Sequence, residues 1–412
     1  MEPDATVAVV GASIAGLRAA ETLRGEGHRG PVVVIGAESH LPYDRPPLSK
    51  QYLAGTWDLE RIALRKPDKL AGYGLDLRLG CRAESLDLAG RRLRLDDGTS
   101  LAFDGLVIAT GAAPRHLPGT EGVEGVHLLR TLDDAGSLAA ALGEGVRLVV
   151  VGAGFIGAEV AATAHGMGAA VTVVEALPVP LGRVLGDAMG AVCGALHADH
   201  GVEVRVGVGV AGLRTEERVT RTGDGGGRRV TGVELADGTV LDADVVVVGI
   251  GVVPVTGWLE DSGLELGDGV LADGRLFAAP DVVVAGDVAR WTDPGTGTSR
   301  RVEHWTNATE QGAVAARNLL AGEAGAVPYL PVPYFWSDQY EVKIQVIGHP
   351  SPDDEVVVVE GSTDERRFVA LYGRNGRLQA VLGFGRPRQL MAYRPLIESG
   401  ASFDEALAFS PR

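Results

Sequence analysis

Two glycine-rich turns are the residues whose spacing most directly specifies chemistry. The first is Gly11-Ala12-Ser13-Ile14-Ala15-Gly16, with Glu38 22 residues past Gly16. The second is Gly152-Ala153-Gly154-Phe155-Ile156-Gly157, with Glu175 18 residues past Gly157. A dinucleotide's pyrophosphate is held by backbone N–H groups at a helix N-terminus with no side chain in the way. The first glycine of such a motif permits the turn, the last lets helix pack on strand, and the later acid accepts from a ribose hydroxyl. The second copy is complete. Glu175 there would repel a 2′-phosphate, and Ala176 and Leu177 after it supply no arginine, so NADH is favoured over NADPH. In the first copy Ser13 replaces the middle glycine, and its hydroxyl can still face a phosphate. A glycine turn that binds nothing is the plain alternative for either motif taken alone. Their repetition 141 residues apart argues for binding at both.

Each turn must sit between a strand and a helix. Residues 6–10 form an apolar run, Leu17, Ala20 and Leu23 follow at helical spacing, Gly25 and Gly27 stop that helix, and 31–35 is a second strand. The pattern recurs as strand 146–151, helix 159–166 and strand 170–174. Two βαβ units predict two nucleotide-binding domains. Two dinucleotides in one chain imply a relay: hydride arrives from a nicotinamide, a flavin takes it up, and electrons leave from the flavin. A plain dehydrogenase would leave one site without a task.

Other segments frame these units. Residues 101–108 lead into Ala109-Thr110-Gly111-Ala112-Ala113-Pro114-Arg115, and 242–248 lead into Gly249-Ile250-Gly251-Val252-Val253-Pro254. Both read as crossovers between domains. Residues 281–285 form a short buried strand ending in Gly286-Asp287, and 303–320 form a helix. A hairpin tip is expected at 220–229 and a surface loop at 293–301. Beyond 324 the pattern changes to strands at 342–347, 355–360, 367–372 and 378–384, with an Asn375-Gly376 turn, then helices at 389–398 and 404–409. The predicted fold is α/β, with two Rossmann-like dinucleotide-binding domains of the glutathione-reductase-like kind and a C-terminal α+β domain.

Composition narrows the function. The 412 residues suit two to four domains. With 54 acidic and 38 basic residues the net charge is −16, which argues against nucleic acid as a partner but leaves room for a local basic patch. The 59 glycines show no triplet period, so they mark turns and close backbone approaches. The only cysteines, Cys81 and Cys193, are far apart and form no metal or redox pair; both read as small hydrophobes. No metal site is expected. The most apolar window, 146–174, contains Glu159 and His165 and is no membrane span. The N-terminus has no basic leader, so a cytoplasmic protein is expected.

At this level of detail the chain resembles the FAD-dependent NADH–ferredoxin reductases that feed bacterial oxygenases and cytochromes P450. The resemblance covers nearly the whole chain. It rests on the first glycine motif with Pro42-Tyr43-Asp44-Arg45-Pro46-Pro47-Leu48-Ser49-Lys50, and on residues 109–115, Leu129-Arg130-Thr131-Leu132 and the complete second motif. It also rests on Ala285-Gly286-Asp287-Val288-Ala289, Glu303-His304-Trp305 and Phe335-Trp336-Ser337-Asp338-Gln339-Tyr340. It implies FAD and NADH as cofactors and a [2Fe–2S] ferredoxin as partner, ahead of a P450 or ring-hydroxylating oxygenase. It places the FAD domain at 1–112 and 244–322, the NAD domain at 113–243 and the C-terminal domain at 323–412.

The resemblance also implies residue roles. Lys50 would lie near flavin N5, where a cation favours the reduced, anionic flavin, and Glu159 would pair with it beside the nicotinamide. Asp287 would bind the ribityl chain, with Val288 opening a helix whose N-terminus faces the flavin's pyrimidine end; a simple N-cap is the bland alternative. Further FAD contacts are implied for Gly11, Ser13, Ala15, Gly16, Ala37, Glu38, Arg45, Ala83, Ala109, Thr110, Gly111, Arg130, Gly286, Trp305 and Trp336. Contacts with NAD are implied for Gly152, Gly154, Phe155, Ile156, Gly157, Glu159, Glu175, Arg183 and Gly251. The family's usual FAD-ribose acid falls here on Ala37, and the nearest acid is Glu38. An acidic ferredoxin needs a basic dock, for which Arg65, Arg300, Arg301, Arg317, Arg386 and Arg388 are candidates. Two rivals stand beside this reading. One is a related reductase with rubredoxin, a nitrite-reductase partner, oxygen or monodehydroascorbate as acceptor. The other is an interaction flavoprotein like apoptosis-inducing factor.

Overall fold

The computed structural model describes residues 1–218, 227–295 and 297–410. It divides into two compact units. The first holds residues 1–44, 59–113 and 252–331; the second holds 45–58, 114–251 and 332–412. The expected hairpin tip at 220–229 lies largely outside the described residues.

The first unit is built on a six-stranded sheet. Its order is Phe277–Ala279, Val282–Val284, Gly105–Ile108, Val7–Val10, Val32–Gly36, Asp76–Leu79. All neighbours are parallel except the outermost pair at Phe277–Ala279. The next strand after Val7–Val10 lies on one side of it and Gly105–Ile108 lies on the other. The order therefore reverses at the end of Val7–Val10, where open α/β sheets bind ligands. Fully buried runs such as Val-Ala-Val-Val fit a sheet covered on both faces. Helices Ile14–Gly25 and Trp305–Gly325 pack so closely that a Cβ on Gly312 would lie 2.3 Å from the Ala15 carbonyl oxygen.

The second unit holds a five-stranded parallel sheet, ordered Val126–His127, Val245–Val248, Arg147–Val151, Ala170–Glu175, Glu203–Val206. It also holds a five-stranded antiparallel sheet, ordered Tyr334–Gln339, Val342–Gly348, Arg377–Phe384, Arg367–Arg374, Glu355–Ser362. The four strands expected from sequence are joined by Tyr334–Gln339 at the edge. The turn residues Asn375 and Gly376 both have positive φ, 54° and 70°, as a two-residue hairpin turn requires. One face of this sheet packs on Leu185, Met189, Cys193 and Leu196 of helix Gly182–Asp199, and the other on Leu390, Tyr393, Phe403 and Ala406. Burial pushes the Cys193 thiol up to about 12 and raises that of Cys81, which makes both poor nucleophiles.

Two expected elements differ. The loop expected at 293–301 ends in strand Ser299–Arg301, which pairs antiparallel with Ala289–Thr292 because Ser299, Arg300 and Arg301 lie opposite Thr292, Trp291 and Arg290. Val288 does not open a helix: Gly286–Val288 is a single 3-10 turn that runs straight into strand Ala289–Thr292. That strand alternates in burial, encloses Trp291 and pairs in parallel with Gly269–Ala272. The two-residue period of Ala289-Arg290-Trp291-Thr292 suits a half-covered strand and defeats a helix. Asp287 therefore sits in a tight turn, neither a helix N-cap nor at the head of a helix dipole.

Candidate active site

The two glycine turns are shaped by the backbone first. Gly11 has φ 118°, and a Cβ on it would lie 2.1 Å from the Ala109 carbonyl oxygen. A Cβ on Gly16 would lie 1.8 Å from the Gly11 oxygen. The second turn repeats this: Gly152 has φ 99°, and a Cβ on it would lie 2.4 Å from the Gly249 oxygen, while a Cβ on Gly157 would lie 2.1 Å from the Gly152 oxygen. No side chain fits at these four positions. Gly154 differs, because a Cβ there meets no atom within 4 Å. The fold does not demand that glycine, whereas a pyrophosphate lying over the helix N-terminus does. Ile156, two residues on in the first turn of helix Phe155–Gly166, is 44% exposed despite its apolar chain. The second turn thus fits a dinucleotide. In the first turn Ser13 occupies the N-cap of helix Ile14–Gly25, yet its side chain makes no capping bond to that helix.

The two acids are placed differently. Val151 pairs with Val174 and Val10 with Ile35, so the position equivalent to Glu175 in the first copy is Gly36. Glu38 lies two residues further on and accepts a hydrogen bond from the Tyr43 hydroxyl. Ala37 is exposed. Glu175 accepts the Ala153 N–H at 2.8 Å and the Leu177 N–H at 2.9 Å, one on each oxygen. This holds its carboxylate against the glycine turn.

Within the first unit, Asp44 accepts from the Trp305 indole N–H at 2.7 Å, and Trp305 is the first residue of its helix. Gly286 has φ 79° and donates its N–H to Gln311 at 2.8 Å. Burial lowers the His304 imidazole to about 4, against the pull of the Asp287 carboxylate, so it is neutral at pH 7. Thr110 donates to the Val255 carbonyl at 2.8 Å. Ala109 is buried, and Ala83 begins a short strand on a separate antiparallel meander.

Within the second unit lies a buried ion pair. Lys50 Nζ is 2.7 Å from Glu159 Oε2, with side chains 9% and 6% exposed. Glu159 stands one turn into helix Phe155–Gly166, and Lys50 ends the 3-10 turn Pro46–Ser49. The Ser49 hydroxyl donates to Glu159 Oε2 at 2.5 Å and the Ser337 hydroxyl to Oε1 at 2.7 Å. Thr163, one turn further along the helix, donates to the Ser49 carbonyl at 2.8 Å. Sequence reading found the lysine and the glutamate but assigned nothing to Ser49, Ser337 or Thr163. The alternation Phe335, Ser337, Gln339 on one face of a strand was the available signal. Arg45 donates to the Arg130 carbonyl, just before the Thr131–Asp134 capping box of helix Leu132–Ala141. Trp336 is half-buried on the other face, stacked on Tyr334 at 6.0 Å. Arg183 is exposed near the start of its helix, and the Gly251 carbonyl accepts the Arg115 N–H at 2.9 Å.

The arginines expected to form a basic dock are mostly neutralised. Arg65 pairs with Glu21, Arg300 with Asp293, Arg301 with Asp268 and Glu303, Arg317 with Glu26, and Arg386 with Glu360. In a chain with 16 more acids than bases, arginines find carboxylates locally. Arg388 alone of the six is exposed without such a pair among the described residues. Among those residues there is also no helix long and apolar enough to cross a membrane, and no cluster of His, Cys, Asp or Glu suited to a metal.

Comparison with known proteins agrees with this geometry. Residues 5–312 match the family model described as pyridine nucleotide-disulphide oxidoreductase, and residues 334–412 match one described as reductase C-terminal. The chain is 38% identical to rhodocoxin reductase of Rhodococcus erythropolis over 95% of its own length and 89% of that protein. It is 37% identical to the ferredoxin–NAD(+) reductase component of the anthranilate 1,2-dioxygenase system of Burkholderia cepacia, covering 96% and 95%. The crystal structure of the covalent putidaredoxin reductase–putidaredoxin complex matches with a TM-score of 0.90 at 32% identity, covering 98% of this chain and 96% of that one.

Proposed function

The chain belongs to the pyridine nucleotide-disulphide oxidoreductase family, and from that premise we propose that it is an FAD-dependent NADH–ferredoxin reductase serving a P450 or ring-hydroxylating oxygenase. The observation that carries this reading is the buried Lys50–Glu159 pair, one turn into the helix that follows the complete glycine motif. It stands in a chain with a second glycine cradle, and both cysteines are buried and free, so no disulfide is available as electron carrier. Relatives over nearly the full length are named as reductases of ferredoxins, which supports the same acceptor.

FAD supplies the chemistry of accepting a hydride from NADH and releasing electrons singly to a one-electron carrier. Every other part falls to this chain. The first turn, with Gly11, Ser13 and Gly16, would hold the FAD pyrophosphate, and Asp287 the ribityl hydroxyls. The second, with Gly152, Gly154 and Gly157, would hold that of NADH. Glu175, pinned by two backbone N–H groups, keeps lone pairs for the ribose 2′-hydroxyl and repels a 2′-phosphate, which selects NADH. Lys50 presents a fixed positive charge where negative charge develops, and Glu159 holds it there. The domains follow the same assignment with shifted bounds: strand Val245–Val248 pairs with Arg147–Val151, which supports an NAD domain at about 114–251, an FAD domain at 1–113 and 252–331, and a C-terminal domain from 332. A cytoplasmic location fits a partner of soluble ferredoxins and oxygenases.

The test is an acceptor assay. The NADH-reduced protein is offered a [2Fe–2S] ferredoxin with cytochrome c as reporter, then rubredoxin, oxygen and monodehydroascorbate. Ferredoxin-dependent reduction well above the other acceptors is expected. Faster turnover with any of the others would move the protein to that reaction.

A further inference from the structure

We propose that Ser337 is a positioning residue for the Lys50–Glu159 pair, an inference that rests on the reductase reading above. Three donors meet the Glu159 carboxylate, two adjacent in sequence and the third from a distant stretch of chain. Lys50 and Ser49 donate to Oε2 at 2.7 and 2.5 Å. Among the described residues Ser337 alone donates to Oε1, at 2.7 Å. All four residues are buried, Ser337 completely.

The donor set fixes the carboxylate's orientation. With bonds to both oxygens, the group cannot turn about its Cγ–Cδ bond without breaking one of them. Without Ser337, Oε1 would be a buried oxygen with no donor, and the carboxylate would turn towards its other partners and carry the ammonium with it. The hydroxyl is itself oriented. Gln339 Nε2 donates to Ser337 Oγ at 3.2 Å, which directs the single hydroxyl hydrogen to Glu159.

The strand supplies the precision. Phe335, Ser337 and Gln339 share the buried face of Tyr334–Gln339, because side chains alternate along a strand. Phe335 meets Phe155 edge to face at 4.9 Å, at the head of the helix that carries Glu159. That contact sets the strand against the helix two residues before Ser337. A slip of one residue would bring Trp336 or Asp338 to the carboxylate instead. The same strand turns Tyr334, Trp336 and Asp338 the other way, with Lys343 3.2 Å from Asp338.

The test compares Ser337→Ala with Ser337→Thr, which keeps the hydroxyl, in the full-length protein carrying its flavin. The first readout is acylation of Lys50 by acetic anhydride, followed by mass spectrometry of the Lys50 peptide. Ser337→Ala should raise Lys50 labelling several-fold, and Ser337→Thr should restore protection. The second readout is the anaerobic bleaching of flavin absorbance by NADH. Ser337→Ala should slow it by about ten- to a hundredfold at unchanged NADH Kd, the loss expected for one hydrogen bond to a charged group. In a Glu159→Gln background the same change should add nothing. Unchanged Lys50 labelling, or a slowing that simply multiplies with that of Glu159→Gln, would overturn the proposal. A wild-type protein that NADH does not bleach would instead overturn the reductase reading, while the labelling would still decide the role of Ser337.

Discussion

The two βαβ units obey one set of backbone rules and carry two different sets of side chains. In both, a glycine at positive φ passes a carbonyl from a neighbouring strand, and a glycine five residues on seats the helix against the turn. The copies part at the helix. Glu159 in the second copy aligns with Arg18 in the first, at the same offset of 141 residues. Arg18 is 34% exposed and, with Arg65, brackets the buried Glu21. That trio ties helix Ile14–Gly25 to a loop. Glu159 meets Lys50, Ser49 and Ser337, all nearly inaccessible. In the proposed reductase the backbone would make a nucleotide cradle, and the partners of the helix face would decide whether the cradle is only a holder or part of a reacting centre.

The glycines offer the largest test of that comparison. Gly157→Ala drives a Cβ against the Gly152 oxygen and should cost several kcal/mol, about 3 or more, seen as a large drop in Tm. Gly154→Ala enters open space and should leave Tm within about 2 °C while weakening NADH binding about tenfold or more. Equal Tm losses would mean that Gly154 serves the fold rather than a ligand.

The buried acids come next. Glu159→Ala strands the Lys50 ammonium in a closed site and should cost about 3–5 kcal/mol in urea unfolding. Glu21→Ala leaves two arginines that reach solvent, so about 1–3 kcal/mol is expected. A larger loss from Glu21→Ala would erase the distinction between the copies.

Two histidines, His304 in the first unit and His197 in the second, are held neutral by their surroundings. Burial lowers both to about 4, with the neighbouring His200 adding to the effect at His197. The unfolded chain takes up these protons near 6.5. Stability from both is therefore complete above about pH 6.5 and is lost as pH falls towards 4, by at most about 3 kcal/mol for each histidine. His304→Gln and His197→Gln should each flatten the acid limb of a Tm-against-pH curve. An unchanged slope would mean that neither group is held neutral.

The smallest effect concerns cofactor choice. Glu175→Ala combined with Ala176→Arg should shift the kcat/KM ratio towards NADPH by about tenfold or more. The same exchange at Glu38, two residues off the equivalent register, should not. No shift at Glu175 would mean that its carboxylate does not face the ribose.

Much of the fold was legible because backbone geometry leaves plain marks. Glycines at forced positions, β-branched runs and the Asn375-Gly376 turn all announce themselves locally. Contacts made across hundreds of residues do not. That Gly36, not Glu38, holds the position equivalent to Glu175 depends on how Val10 pairs with Ile35. Val288 comes after a glycine and an acid as helix starts do, but pairing with Gly269–Ala272 makes Ala289–Thr292 a strand. The arginines of the expected dock look free in sequence, since their carboxylate partners lie up to 291 residues away. Ser337 looks like one polar residue within an aromatic motif until the strand's alternation brings it to Glu159.

The most direct measurement is stopped-flow mixing of NADH with the purified, flavin-loaded protein under anaerobic conditions, followed in the visible band of the oxidised flavin. Wild type and Glu21→Gln should bleach at the same rate, and Glu159→Gln should bleach about tenfold or more slower at the same NADH affinity. Equal rates in all three, or a protein that takes up no FAD, would contradict a hydride-accepting centre built around Lys50 and Glu159.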